Sequence, residues 1–342
     1  MQMLLHPLNL EIARPFRISR GIKTQQECLI VELRDGELSG WGEAAAHPYF
    51  GADLQQMIAL LEKHRSTIEK ANWVSPAEFW AQMQPLLAMQ PFALTALDIA
   101  ANDLWARKQQ QTLREALELP KVEGPHTNMT LGLDSIPDLL ASIDRFQWPI
   151  YKVKLGGEHD LESMQAIRAH TDASLRIDAN GGWTLAQALE IAPKLKELGV
   201  EFLEQPLEKD DWEGMKVLFE QSPLPLIADE SCQTEADVER CAEYFHGINI
   251  KLAKCGGITP ALRMIKKARA LGLKVMIGCM IESRIGISSI AQLLPLLDAV
   301  DMDGSFNLKY QYAEGVEVKK EGIFLPTQYG IGASLKPEYR TT

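Results

Sequence analysis

The 342-residue sequence is poor in cysteine: Cys28, Cys232, Cys241, Cys255 and Cys279 are widely scattered, and no two form a CxxC pair. That pattern excludes a disulfide framework and a cysteine-based zinc site, and it fits a reducing compartment. The chain also lacks any run of about 18 uncharged apolar residues, so no segment reads as membrane-spanning. Its start, Met1-Gln2-Met3-Leu4-Leu5-His6-Pro7, has neither the charged region nor the long apolar core of a secretory signal. A cytoplasmic protein is expected. No cluster of Lys or Arg offsets the formal net charge of −11, which argues against nucleic acid or an anionic membrane as a partner. A glycine-rich phosphate turn is missing from the early chain, which counts against an open, doubly wound sheet.

What is present is ordinary in bulk and informative in pattern. With 46% hydrophobic and 24% charged residues the chain can bury a full core, and its length calls for one large barrel or two domains. Residues 1–125 read as an α+β unit. Strands are expected over Glu27–Arg34 and Glu37–Gly42, joined by an Asp35-Gly36 turn. Helices follow over Asp53–Lys70, Pro76–Met89 and Pro91–Leu119, and the polar segment Arg14–Lys23 reads as a loop.

From residue 126 short apolar runs alternate with amphipathic helical stretches. The runs end at Leu131, Leu155, Asp178, Glu204, Asp229, Lys251, Cys279 and Asp303. Thr184 is placed to cap a helix closed by Gly199, with Pro193 expected to kink or break it, and Thr259-Pro260 opens another closed by Gly272. Eight strands alternating with helices predict an α/β fold, a (β/α)₈ barrel over 126–314. The tail 315–342 turns at Glu321-Gly322 and is expected to rejoin the first unit.

In such a barrel the chemistry sits where the strands end. Asp178, Glu204, Asp229 and Lys251 end successive runs at intervals of 26, 25 and 22 residues, each the length of one βα unit, so all four face one mouth. Acidic strand ends also serve as helix caps or lysine partners, but three carboxylates in register repel one another unless a cation lies among them. Hard oxygen ligands select magnesium, calcium or manganese, and a sparse set suits one Mg²⁺ shared with a substrate carboxylate. Lys152 and Lys154 share a strand face, and Lys251 arrives across the mouth. A proton next to a carboxylate is a poor acid, and its removal needs a cation for the charge and a lysine of lowered pKa for the proton. Two opposed lysines suit removal on one face and return on the other, as in an epimerase or racemase.

Lys152-Val153-Lys154, Asp178-Ala179-Asn180, Glu204-Gln205-Pro206, Asp229-Glu230-Ser231 and Lys251-Leu252-Ala253-Lys254-Cys255-Gly256-Gly257, with Gly40-Trp41-Gly42-Glu43-Ala44 upstream, resemble the muconate-lactonizing-enzyme subgroup of the enolase superfamily. The resemblance implies a modified (β/α)₈ barrel with an N-terminal α+β capping domain completed by the C-terminal tail. It further implies Asp178, Glu204 and Asp229 as ligands of one Mg²⁺, with Asn180 and Glu230 beside them. Lys154 and Lys251 are the implied acid/base pair, with Lys152 supporting the enolate and Lys254 a lesser candidate.

Within the subgroup, Asp301-Met302-Asp303 and Gly278-Cys279-Met280-Ile281-Glu282-Ser283 resemble the signature of dipeptide epimerases. Alternation puts Asp301 and Asp303 on one face, where they can hold a substrate ammonium. Met280 is expected in the substrate pocket. Arg17, Arg20 and Lys23 of the first capping loop offer a cation for an acidic side chain, Arg20 foremost, although Gly21 takes the place where the family's arginine is usual. The expected function is epimerisation at the second residue of an L-Ala-D/L-Glu-like dipeptide, in recycling of cell-wall peptides. The alternatives are an N-acylamino acid racemase, an o-succinylbenzoate synthase, or a non-catalytic barrel that only binds ligand. A homo-oligomer would be ordinary for such a fold, and the oligomeric state is left open.

Overall fold

A computed structural model describes residues 1–18, 21–157 and 159–341. The first unit is an antiparallel sheet of β1 (Gln2–Ile18), β2 (Gly21–Asp35) and β3 (Leu38–Ala45), in that order. It is backed by α1 (Leu54–Lys70), α2 (Pro76–Leu87) and α3 (Pro91–Lys108). Asp53 and Ser75 cap the first two helices by accepting from Gln56 and Glu78. Gly36 turns the β2–β3 hairpin at φ 60°.

Two expectations need correction here. Where the structure describes it, the expected loop Arg14–Lys23 is strand: residues 14–18 end β1 and residues 21–23 begin β2, with Phe16 opposite Lys23 and Ile18 opposite Gly21. The register slips between Glu11 and Phe16, so the residues between them bulge out of the ladder. That bulge is pinned elsewhere: Asn307 accepts from the Arg14 N–H at 3.2 Å and donates to its carbonyl at 2.7 Å. Second, the helix from Pro91 ends at Lys108 and a separate one, Leu113–Ala116, follows. Gln110 turns left-handed at φ 55°, and Thr112 with Glu115 forms a fresh capping box.

Eight parallel strands make the second unit: β4 (Met129–Leu131), β5 (Ile150–Lys154), β6 (Ser174–Asp178), β7 (Val200–Glu204), β8 (Leu226–Ala228), β9 (Gly247–Ile250), β10 (Lys274–Gly278) and β11 (Ala299–Asp301). They lie side by side in chain order, and a parallel bridge from Thr127 to Val300 joins last to first. The sheet is therefore a barrel, as the alternating pattern predicts. No full helix follows β11 among the described residues, which is the modification of the eightfold plan. Thr184 caps Leu185–Glu197, which runs through Pro193 without breaking. The helix expected to open at Thr259 starts one residue earlier, at Ile258.

The two units are bolted together by carboxylates. α3 is buried continuously from Phe92 to Leu104, as expected of a helix packed on every side. From it Asp98 accepts the N–H of Thr259 at 2.9 Å, and Asp103 accepts those of Trp41 and Ile331 at 2.8 and 2.7 Å. Glu43 on β3 accepts from the N–H groups of Ser283 and Gly286, at 2.8 and 2.9 Å, at the start of helix Arg284–Gln292. The tail returns to the first unit: Arg107 donates to Ala333, and the Thr341 N–H donates to His6.

Candidate active site

The ladder registers put the functional side chains at one height. Lys154 pairs across to Asp178, and Asp178 to Glu204, at the C-terminal ends of β5, β6 and β7. Asp229 follows β8 directly and Lys251 follows β9. In a closed ring of eight strands the second and sixth are diametrically opposed, so Lys154 on β5 and Lys251 after β9 face each other across the mouth. The arc between them carries Asp178, Glu204 and Asp229. Both lysines line one cavity of ≈ 290 Å³.

The three carboxylates are fully buried, and one oxygen of each lies within 4.8 Å of the others. Oxygen donors alone, three converging negative charges and complete burial are what a hard divalent cation requires, so these residues fit one. Burial, followed by the charges of Asp178 and Asp229, pushes Glu204 up to about 8. Asn249 donates to Glu204 at 2.7 Å, and Gln205, held left-handed at φ 38°, accepts the N–H groups of Asp229 and Ser231.

Each lysine has a definite partner. Lys154 donates to Asp178 at 2.6 Å and to Asn180 at 3.0 Å; Asn180 in turn donates to Glu230 at 3.3 Å. Lys251 donates to Asp229 at 2.6 Å. Lys152 is buried at the hub, 2.9 Å from Asp178, 2.8 Å from Glu204 and 3.0 Å from Asp301. A lowered lysine pKa is expected beside a bound divalent cation; the carboxylates by themselves act in the opposite direction. Burial would lower Lys251 and Lys152, but Asp229 at Lys251, and Asp178 with Glu204 at Lys152, outweigh it and raise both.

Lys254 is placed differently from Lys251 and is not among the residues lining the cavity. It is buried and donates to Asp229 Oδ1 and to the carbonyls of Asp229, Cys232 and Asn249, so it anchors the metal-side carboxylate from behind.

On the far side of the cavity Asp301, Asp303 and Cys279 converge within 4.8 Å. Asp301 is already engaged by Lys152 and by Asn128, which donates at 2.9 Å. Burial and the Asp301 charge push Asp303 up to about 8, so this corner too favours a cation. Met280 lines the same cavity, as do His47 and Phe50 of the capping segment. Arg20 lies outside the described residues. Among the described residues, the capping-unit cations on the cavity are Lys23 and Arg14, the latter carried there by the β1 bulge and missed in the sequence because the bulge was read as loop. Asn249 and Asn128 were also missed. Each sits two residues before a flagged or lining position, Lys251 just past the end of β9 and Thr130 on β4, so inward alternation was the signal that could have found them.

Residues 138–339 match the family model described as enolase C-terminal domain-like, and residues 3–117 match that of the mandelate racemase / muconate lactonizing enzyme N-terminal domain. An L-Ala-D/L-amino acid epimerase from Flavobacterium johnsoniae is 46% identical over 98% of this chain and 100% of its own length. Among solved structures, the substrate-liganded L-Ala-D/L-Glu epimerase of Bacillus subtilis superposes with a TM-score of 0.92 at 26% identity, covering 98% of this chain and 99% of that one. The dipeptide epimerase of Enterococcus faecalis V583, complexed with Mg and L-Leu-L-Tyr, also gives 0.92, at 29% identity over 97% of this chain and 99% of that one.

Proposed function

The chain belongs to the mandelate racemase / muconate lactonizing enzyme family of the enolase superfamily, and from that premise we propose that it is a magnesium-dependent dipeptide epimerase. It inverts the α-carbon of the second residue. The observation that carries the reading is the pair of opposed lysines, Lys154 and Lys251, lining one cavity, with three convergent buried carboxylates on the arc of strands between them. A protein that only bound ligand would need neither base.

Asp178, Glu204 and Asp229 would hold the Mg²⁺. A cation held there would supply positive charge for the substrate carboxylate as it gains charge. Lys154 and Lys251 then act from opposite faces, one accepting the α-proton and the other returning a proton to the far side. Lys152, fixed by three carboxylates, stays charged and faces the negative charge that builds on the substrate. Asp301 and Asp303 receive the ammonium of the first residue, where an N-acylated substrate has no positive charge to offer.

The name of the Flavobacterium relative points to L-Ala as the first residue with a broad choice at the second. Lys23 and Arg14 at the rim favour an acidic second residue, L-Ala-D/L-Glu, while Ile12, Phe50 and Leu131 leave room for apolar ones. Five free cysteines, four of them buried, suit a reducing compartment, and we place the enzyme in the cytoplasm, in turnover of cell-wall peptides. No described helix is long and apolar enough to cross a membrane.

The test is proton NMR in D₂O with Mg²⁺ on L-Ala-L-Glu, an apolar pair and a cationic pair. Loss of the second residue's α-proton with appearance of the diastereomer is expected, fastest for L-Ala-L-Glu. Turnover of an N-acylamino acid with no dipeptide exchange would overturn the assignment.

A further inference from the structure

Lys251 is followed at once by two helices, Leu252–Cys255 and Ile258–Ala270, joined through Gly256 and Gly257. Neither helix is capped from within: Lys251 and Gly257 occupy the N-cap positions and make no side-chain cap bond. The acceptor comes from the other domain. Asp98 of α3 takes the Thr259 N–H at 2.9 Å, and Gly257, at φ 116°, makes room for it, since a Cβ there would lie 2.3 Å from the Asp98 carboxylate. One turn earlier on α3, Thr95 donates to the Leu252 carbonyl at 2.7 Å, and Trp80 of α2 donates to the Gly256 carbonyl at 3.0 Å. The backbone that presents Lys251 is thus held at three points by the capping domain. The backbone after Lys154 is held differently: the Leu155 N–H is taken by the Asp178 carbonyl and the Gly156 N–H by the Asp160 carboxylate, both of the barrel.

We infer that Asp98 and Thr95 are positioning residues for Lys251, so that the capping domain governs one of the two proton transfers and leaves the other to the barrel. The inference rests on the two-lysine reading above. Its physical basis is geometric: a base displaced by about 1 Å loses up to ~10²-fold in rate, and freeing Leu252 and Thr259 displaces Lys251 while leaving Lys154 where it was.

The experiment follows α-proton exchange in D₂O at saturating Mg²⁺, starting separately from L-Ala-L-Glu and L-Ala-D-Glu and reading initial rates. Lys251→Ala first identifies the diastereomer whose exchange needs Lys251. Asp98→Ala and Thr95→Val should then slow that diastereomer by about tenfold or more and leave the other within about twofold. Equal losses on both, as a merely structural role would give, overturn the inference, as does an unchanged Lys251 side. If Asp98→Ala fails to fold, Thr95→Val carries the test, since it removes a hydroxyl at almost constant volume. Undiminished exchange of both diastereomers in Lys251→Ala would sink the two-lysine reading itself, and this inference with it.

Discussion

Most of the charged side chains in this protein that matter are buried, and their neighbours decide their state. Glu282 is an example outside the carboxylate trio. Burial, and then the charge of Glu43, push its pKa up to about 8, against roughly 4.3 in an unfolded chain. The folded state therefore holds this proton more tightly, and the stability it contributes is complete below about pH 4 and lost as pH rises through about 8. A Glu282→Gln variant keeps the uncharged form at every pH. Its melting temperature should match the parent near pH ~4 and exceed it increasingly up to pH ~8. Parallel melting curves across that range would show that the charge is better solvated than its burial implies. At this scale the sequence was a good guide to which residues meet: three acids and two lysines at βα intervals come together at one end of the barrel. It did not give the 2.6 Å approach of Asp229 to Lys251, because alternation predicts a shared face but not a partner from the neighbouring strand.

Elements were legible where periodicity and caps agreed, and illegible where a strand departs from its ladder. The barrel strands stand out because each is a short apolar run, and five of the eight runs end on a charged residue: Asp178, Glu204, Asp229, Lys251 and Asp303. The end of the first hairpin did not, since Arg14, Arg17, Arg20 and Lys23 give it the polarity of a loop. Packing of α3 on the sheet has a sharper requirement. At Gly42 a Cβ would lie 1.9 Å from the Ala96 carbonyl, a helical oxygen that cannot turn aside. Gly42→Ala should therefore cost stability at or above the upper end of the ~1–3 kcal/mol usual for overpacking. Urea unfolding checks it: a loss below about 1 kcal/mol would mean that α3 can slide without cost.

At the scale of the molecule the capping and barrel units share a fate. Glu43 is fully buried and accepts from the Ser283 N–H, the Ser283 hydroxyl and the Gly286 N–H, joining β3 to the helix after β10. Each donor left without an acceptor costs roughly 1–3 kcal/mol, so Glu43→Ala should lower stability by about 3 kcal/mol or more. Calorimetry of the parent should show one transition for both units, and the variant should melt earlier. A resolved early transition of the capping unit alone in the parent would show that the carboxylate joints are not what holds it.

The sequence by itself determined the layers and the barrel, because each depends on patterns local enough to be written in spacing: a period of two in strands and a βα interval near 25 residues; the family was legible from the resemblance of its strand-end motifs. Tertiary structure alone decided what those residues meet. That Asp98 caps a helix 161 residues away, that Lys254 anchors while Lys251 faces the cavity, and that a bulge brings Arg14 to the rim all follow from packing between distant segments. Hydrogen bonds and burial between such segments leave no periodic trace, since either partner alone reads as an ordinary polar residue.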